Sequence, residues 1–149
     1  MSKKIFFGRH AKSSWEDFSL SDHDRPLNKR GVKDANLIGN YLKSNKLFPD
    51  IIISSSAKRA KSTATIYNEY FNCKIFELEK ELYLAPPYKF LEIASEIPDK
   101  FNSVLMLAHN PGITELANMY SDEFISNVPT SGIFLVEYDC DTWQEISTY

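Results

Sequence analysis

A chain of 149 residues, 43% hydrophobic and 25% charged, has the length of one ordinary domain and enough apolar material for its own core. A net charge of −3 at pH 7, with no basic cluster or polybasic tail, excludes an electrostatic case for nucleic acid or an anionic membrane as partner. No stretch approaches the ~20 apolar residues of a membrane span, and the apolar run in Met-Ser-Lys-Lys-Ile-Phe-Phe-Gly is too short for a secretory signal. Cys73 and Cys140 form neither a CxxC nor a metal-type spacing, and they read as reduced thiols of a cytoplasmic protein.

The first strand is expected at Ile5-Phe6-Phe7, running out into Gly8-Arg9-His10. A polar loop comes next, through Trp15 and Asp24-Arg25-Pro26. Asn28 then caps a helix with Val32, Ala35, Ile38 and Leu42 on one face, weakened somewhat by Gly39. The β-branched run Ile51-Ile52-Ile53 predicts a second strand. The serines 54 to 56 offer N-caps for a helix with Ala60, Ala64, Tyr67 and Phe71 on one stripe. Cys73 to Leu78 reads as a third strand, and Tyr88 to Ile97 as a helix ended by Pro98. Val104 to Ala108 is continuously apolar, which predicts a strand buried on both faces. The next helix should begin with Asn110 as N-cap and Pro111 at its first position, and carry Ile113, Leu116, Ala117 and Tyr120. Gly132 to Tyr138 and Trp143 to Thr148 suggest a hairpin around Asp139-Cys140-Asp141. Alternating strands and helices predict an α/β sandwich with a mostly parallel sheet, to which the terminal hairpin adds an antiparallel edge.

In such a sheet, ligands bind beyond the carboxyl ends of the strands. There the sequence places Arg9 and His10 after the first strand, Arg59 in the helix after the second, and His109 after the fourth. Guanidinium groups match phosphoryl oxygens in bidentate fashion, and helix N-termini near Ser56 and Asn110 would add N–H donors. With no carboxylate in this set, a cation site is not expected. Neighbouring guanidinium charges disfavour imidazolium, and a neutral imidazole is a competent nucleophile toward phosphorus. Arg9, Arg59 and His109 would stabilise the equatorial oxygens of the transferring group, with no metal and no cofactor required.

The same segments resemble a known family. Arg9-His10-Ala11 resembles the Arg-His-Gly signature of the histidine phosphatase superfamily, whose fold is phosphoglycerate mutase-like. Ser55 to Ala64 is similar to its Ser-x-x-x-Arg-Ala-x-x-Thr-Ala segment, and Ala108-His109-Asn110-Pro111-Gly112 to its Gly-His-Asn-Pro block. Asp24-Arg25-Pro26-Leu27 with Gly31, and Val128-Pro129-Thr130-Ser131, are closer to the short SixA-type phosphohistidine phosphatases. The resemblance implies a single histidine phosphatase domain over residues 1–149, built as a three-layer α/β/α sandwich with one antiparallel strand. It implies His10 as the phosphorylated residue, and Arg9, Arg59 and His109 as the phosphate pocket. Larger relatives carry a carboxylic acid that protonates the leaving group. Glu81 lies in the corresponding region without reproducing their motif, and Asp17, Asp22 and Asp24 are further candidates. The short connections leave no room for a cap over the site.

These readings make the chain a phosphohistidine phosphatase with a covalent phospho-His10 intermediate. Its partner would be a phosphorylated protein or a small phosphate ester, and nothing demands more than a monomer. Two alternatives stand beside it: a general small-molecule phosphomonoesterase of the same fold, and a catalytically silent module that binds phosphate or a phosphoprotein. A metal site built from His10, His23 and His109 lacks carboxylate or thiolate ligands. Individually, His10 and His109 could be structural histidines, Arg59 a solvated helix residue, Arg25 a structural ion-pair partner and His23 an exposed loop residue.

Overall fold

The computed structural model describes residues 1–148. Five strands form one sheet: β1 (Lys3–Arg9), β2 (Ile51–Ser55), β3 (Phe76–Glu79), β4 (Ser103–Ala108) and β5 (Ile133–Tyr138). Their spatial order is β3-β2-β4-β1-β5, with β5 antiparallel to β1 and the other neighbours parallel. Four helices connect them: α1 (Lys29–Ser44), α2 (Lys58–Phe71), α3 (Pro87–Ser95) and α4 (Gly112–Tyr120).

The strand sequences dictate a core on each face. Phe6, Leu105, Leu107 and Ile52 point to one side, where Ala35 of α1 and Ala64 and Tyr67 of α2 cover them. Ile5, Phe7, Val104 and Met106 point to the other, under Phe90 and Leu91 of α3 and Ile113 and Leu116 of α4. This is the three-layer α/β/α arrangement, and β4 is buried along its length because both faces are covered.

Several local expectations are corrected. The segment Trp143–Thr148 is a 3-10 helix, not a second hairpin strand. Trp143 and Ile146 are three residues apart and both fully buried, and a 3-10 turn places them on one side. The indole N–H of Trp143 donates to the Phe101 carbonyl at 2.8 Å, which fixes the segment against the body of the molecule. The third strand starts at Phe76, since the Cys73 N–H is taken by Asn68 Oδ1 after Asn72 closes α2 in the left-handed region. Ser54 and Ser55 belong to β2, and α2 begins after Ala57, whose N–H donates to Ser55 Oγ. Helix α4 begins at Gly112, although Asn110 Oδ1 still accepts the Thr114 N–H at 3.1 Å. Val32 is exposed, whereas Gly31 and Gly39 lie on the buried stripe of α1. The space a side chain would take at Gly39 is filled by the ring of Tyr70.

Gly31 matters for the site. A Cβ there would collide with the carbonyl oxygen of Lys12, the same oxygen that accepts the Asn28 N–H at 3.0 Å. The start of α1 is thereby seated against the chain just beyond His10. Since the obstacle is backbone, Gly31→Ala should cost about 1–3 kcal/mol through overpacking, read as a lowered urea midpoint. An unchanged midpoint would show that the Lys12 backbone moves aside freely.

Candidate phosphoryl-transfer site

Strand register brings the two histidines together. Arg9 of β1 lies opposite Ala108 of β4, so the next residues, His10 and His109, leave the sheet side by side. Their ring centroids are 5.1 Å apart. On the other side of β4, β2 ends at Ser55, whose hydroxyl lies 2.7 Å from His109 Nε2. In the first turn of α2, Arg59 is only 3% exposed, so it is not the solvated helix residue that its flanking lysines suggested.

The imidazole of His10 is held in one tautomer. Its Nδ1 lies 2.7 Å from the Ala11 carbonyl oxygen, which can only accept, so Nδ1 carries the proton and donates. Nε2 is left with its lone pair. Burial, and then the charges of Arg59, Arg9 and Arg25, outweigh that hydrogen bond and hold the His10 pKa down at about 4. Burial followed by His10 and Arg59 lowers His109 to about 3. Both rings are therefore neutral near pH 7.

The motif residues between these groups have structural tasks. Thr63 Oγ1 accepts the Ala11 N–H at 3.0 Å and donates to the Arg59 carbonyl at 2.7 Å, joining the histidine loop to the arginine helix. The Ser131 N–H donates to the His10 carbonyl at 3.0 Å. Arg9 Nη1 donates to the Val128 carbonyl at 2.9 Å. Burial and the Arg59 charge pull the Arg9 pKa below its ordinary value.

The arrangement leaves polar atoms without partners. Among the described residues, the buried side-chain atoms lacking a hydrogen bond are Arg9 Nε, Arg59 Nε, His109 Nδ1, Ser131 Oγ and Tyr67 Oη. The first three are nitrogens of the cluster around His10, whereas the Ser131 and Tyr67 hydroxyls lie close enough to interact with one another. Native proteins rarely leave such groups unpaired unless a ligand or water completes them. Ser55 Oγ already accepts the Ala57 N–H at 3.2 Å, so its hydroxyl proton is available to His109 Nε2. That assignment makes His109 Nδ1 an N–H donor. Two guanidinium Nε–H groups and an imidazole N–H, on residues of the cluster that holds His10, suit a tetrahedral oxyanion.

The loop after β1 contributes more than the sequence suggested. Asp22 brings a carboxylate into the set, contrary to the expectation that none belongs there. Its Oδ2 accepts from Arg59 Nη2 at 3.0 Å and from the Tyr83 hydroxyl, its carbonyl from Arg59 Nη1 at 2.6 Å, and its Oδ1 from Arg25 Nε at 3.2 Å. The Tyr83 hydrogen bond and then Arg59 and Arg25 outweigh burial and hold the Asp22 carboxyl down at about 2. It is ionised at neutral pH and has no proton to give. Arg25 is buried, with its guanidinium 3.5 Å over the Trp15 ring and 2.9 Å from Ser13 Oγ. His23 is not merely exposed: its Nε2 is 3.0 Å from Ser56 Oγ and its ring stands edge-on to Tyr83.

Glu81 pairs with Lys89 at 3.8 Å on the surface, with its side chain 62% exposed. Asp17 caps its own turn through Ser19, and Asp24 accepts from the Ser21 hydroxyl. None of these three has a contact with His10 or His109. Among the described residues, no group of three or more His, Cys, Asp or Glu side chains could hold a metal ion. No helix among them is long and apolar enough to cross a membrane.

Sequence reading passed over Tyr83 and Ser55 as site residues. Ser55 opens the segment that carries Arg59, Ala60, Thr63 and Ala64, and was legible there. Tyr83 belongs to a stretch that departs from the larger families, and only tertiary contact with His109 and Asp22 reveals it.

Comparison with known proteins agrees with this fold. The putative phosphohistidine phosphatase SixA of Agrobacterium tumefaciens superposes with a TM-score of 0.82 at 27% identity, covering 89% of this chain and 90% of that one. A protein histidine phosphatase SixA complexed with tungstate shares the fold at a TM-score of 0.73 and 24% identity, over 89% of this chain and 86% of that one. An uncharacterised protein of Mycobacterium tuberculosis is 31% identical over 135 residues, covering 84% of this chain and 83% of that protein. The model of the histidine phosphatase superfamily (branch 1) matches residues 5–82, the stretch that carries Arg9, His10 and Arg59. On these likenesses, and with the sheet edge built as described, the chain belongs to the histidine phosphatase superfamily, branch 1.

Proposed function

We propose that this chain is a phosphohistidine phosphatase that takes a phosphoryl group onto His10 Nε2 and releases it to water. The observation that carries the reading is the tautomerically fixed His10 in a cluster where Arg9 Nε, Arg59 Nε and His109 Nδ1 lack partners. In the first step Nε2 attacks phosphorus as the bond to the leaving group breaks. Arg9, Arg59 and His109 hold the three equatorial oxygens while charge moves across them. In the second step water attacks the phospho-His10 phosphorus, the P–N bond breaks, and the imidazole regains its neutral form.

Proton supply selects the substrate class. An alkoxide leaving group needs an acid. Asp22 is held ionised, and Glu81 is engaged by Lys89. A phosphorylated imidazole departs readily because its own pKa lies near neutrality. The likeness to the SixA proteins supports the same choice, as does the lack of a cap in the short connections. A small-ester phosphatase of the same fold is the second reading; an uncharacterised phosphatase, PhoE, of Bacillus subtilis is 38% identical over 73 residues, and its name specifies no substrate. Steady-state rates on a phosphohistidine protein and on sugar phosphates separate the two: ready hydrolysis of sugar phosphates with no action on the protein overturns the first.

A labelled phosphodonor, quenched in alkali, should leave label on His10 in the wild-type chain. His10→Ala should abolish the label and lower turnover by at least about a thousandfold while phosphate still binds. Label retained in that variant would place the nucleophile elsewhere.

The pH profile has a defined sign. His10 must be unprotonated to attack, and its pKa stands at about 4, below the ordinary 6.5. Activity therefore stays level with respect to this group from about pH 8 down past 6.5, and falls as pH drops through about 4. A descending limb centred near 6.5 in kcat/KM would show that the imidazole is not shielded as described.

A further inference from the structure

The loop between β1 and α1 is a strap with a fixed base. Ser13 bridges Leu27, and the Ser14 N–H donates to the Pro26 carbonyl at 2.8 Å. Between these points the strap crosses to α2 and presents Asp22 to Arg59. Both terminal nitrogens of Arg59 are taken by Asp22, one by the carbonyl and one by the carboxylate, so that Nε alone is unpaired. The same carboxylate accepts from Tyr83, whose ring also stands edge-on to His109, and from Arg25. One negative group thus sits where an incoming phosphoryl group would bring a second.

We propose that Asp22 is a positioning residue that acts as an internal anion, orienting Arg59 for transfer while opposing the resting site's affinity for phosphate. The inference rests on the phosphatase reading of the site and assigns a task to a residue outside its catalytic set. The geometry gives the two effects opposite signs in binding and turnover. Holding Arg59 by two oxygens fixes the guanidinium plane, and a loosened plane costs rate. A unit charge paired with the same guanidinium that would receive the anion weakens its binding, less than in a dry interior because the Asp22 side chain is 46% exposed. Tyr83 fixes the carboxylate without adding charge. Its loss should therefore affect orientation alone.

The test uses Asp22→Asn and Tyr83→Phe in the full chain, with inorganic phosphate affinity by calorimetry and kcat on a phosphohistidine protein. Asp22→Asn keeps the shape and an acceptor for Arg59. It should bind phosphate about three- to thirtyfold more tightly while kcat falls about tenfold. Tyr83→Phe should lower kcat by a smaller factor and leave phosphate affinity within about twofold. A merely structural role would lower both quantities together, and that result overturns the proposal, as does Asp22→Asn binding phosphate no more tightly than wild type. Tighter binding in Tyr83→Phe equal to that in Asp22→Asn also overturns it, because charge would not be the cause. A wild-type chain that binds no phosphate defeats the phosphatase reading itself and this proposal with it. A wild-type chain that binds and turns over with an unresponsive Asp22 defeats the proposal alone.

Discussion

The hydrogen bond from His10 Nδ1–H to the Ala11 carbonyl sets the role of every other group at the site. It commits the proton to one ring nitrogen and leaves the other as a lone pair. In the proposed reaction, its loss would let the imidazole present a proton to phosphorus instead of electrons. The carbonyl stays in place because its own residue is tied down: the Ala11 N–H is held by Thr63, and Ala11 is fully buried. Thr63 in turn holds the Arg59 carbonyl, so the His10 loop and the arginine helix are joined by one hydroxyl.

Concentrating positive charge at a buried sheet edge has a cost, and the fold offsets it unevenly. Arg9 gives one nitrogen to a backbone carbonyl, and Arg59 gives two to Asp22. Arg25 lies against an indole face and two serines. In each of Arg9 and Arg59 the Nε–H is left over. Those remainders are the polarity that a transferring phosphoryl group could satisfy, while burial first and the guanidinium charges after it keep the imidazoles neutral in the meantime.

The parallel sheet supplies the geometry without special effort. Register alone delivers His10 and His109 side by side, because Arg9 and Ala108 are paired. Inserting β4 between β1 and β2 creates the reversal in strand order at which the loops diverge. The antiparallel β5 closes the other side of β1 and brings Val128 and Ser131 back to Arg9 and His10.

Patterning along the chain was enough for the α/β class, the mostly parallel sheet with its antiparallel strand, the four main helices, and the meeting of Arg9, His10, Arg59 and His109. Those features rest on apolar periodicity and on the residues at the end of each strand, and both are local in the chain. The remainder depended on long-range packing. Trp143 to Thr148 reads as a strand by composition, but burial of Trp143 and Ile146 on one side demanded a 3-10 turn. Asp22 reads as one acidic residue among several in a polar loop, yet its partners Arg59 and Tyr83 are 37 and 61 residues away. Glu81 matched by position, yet it lies on the surface beside Lys89. Periodicity records which face of an element is buried, but which distant charges meet is settled only when the chain has closed.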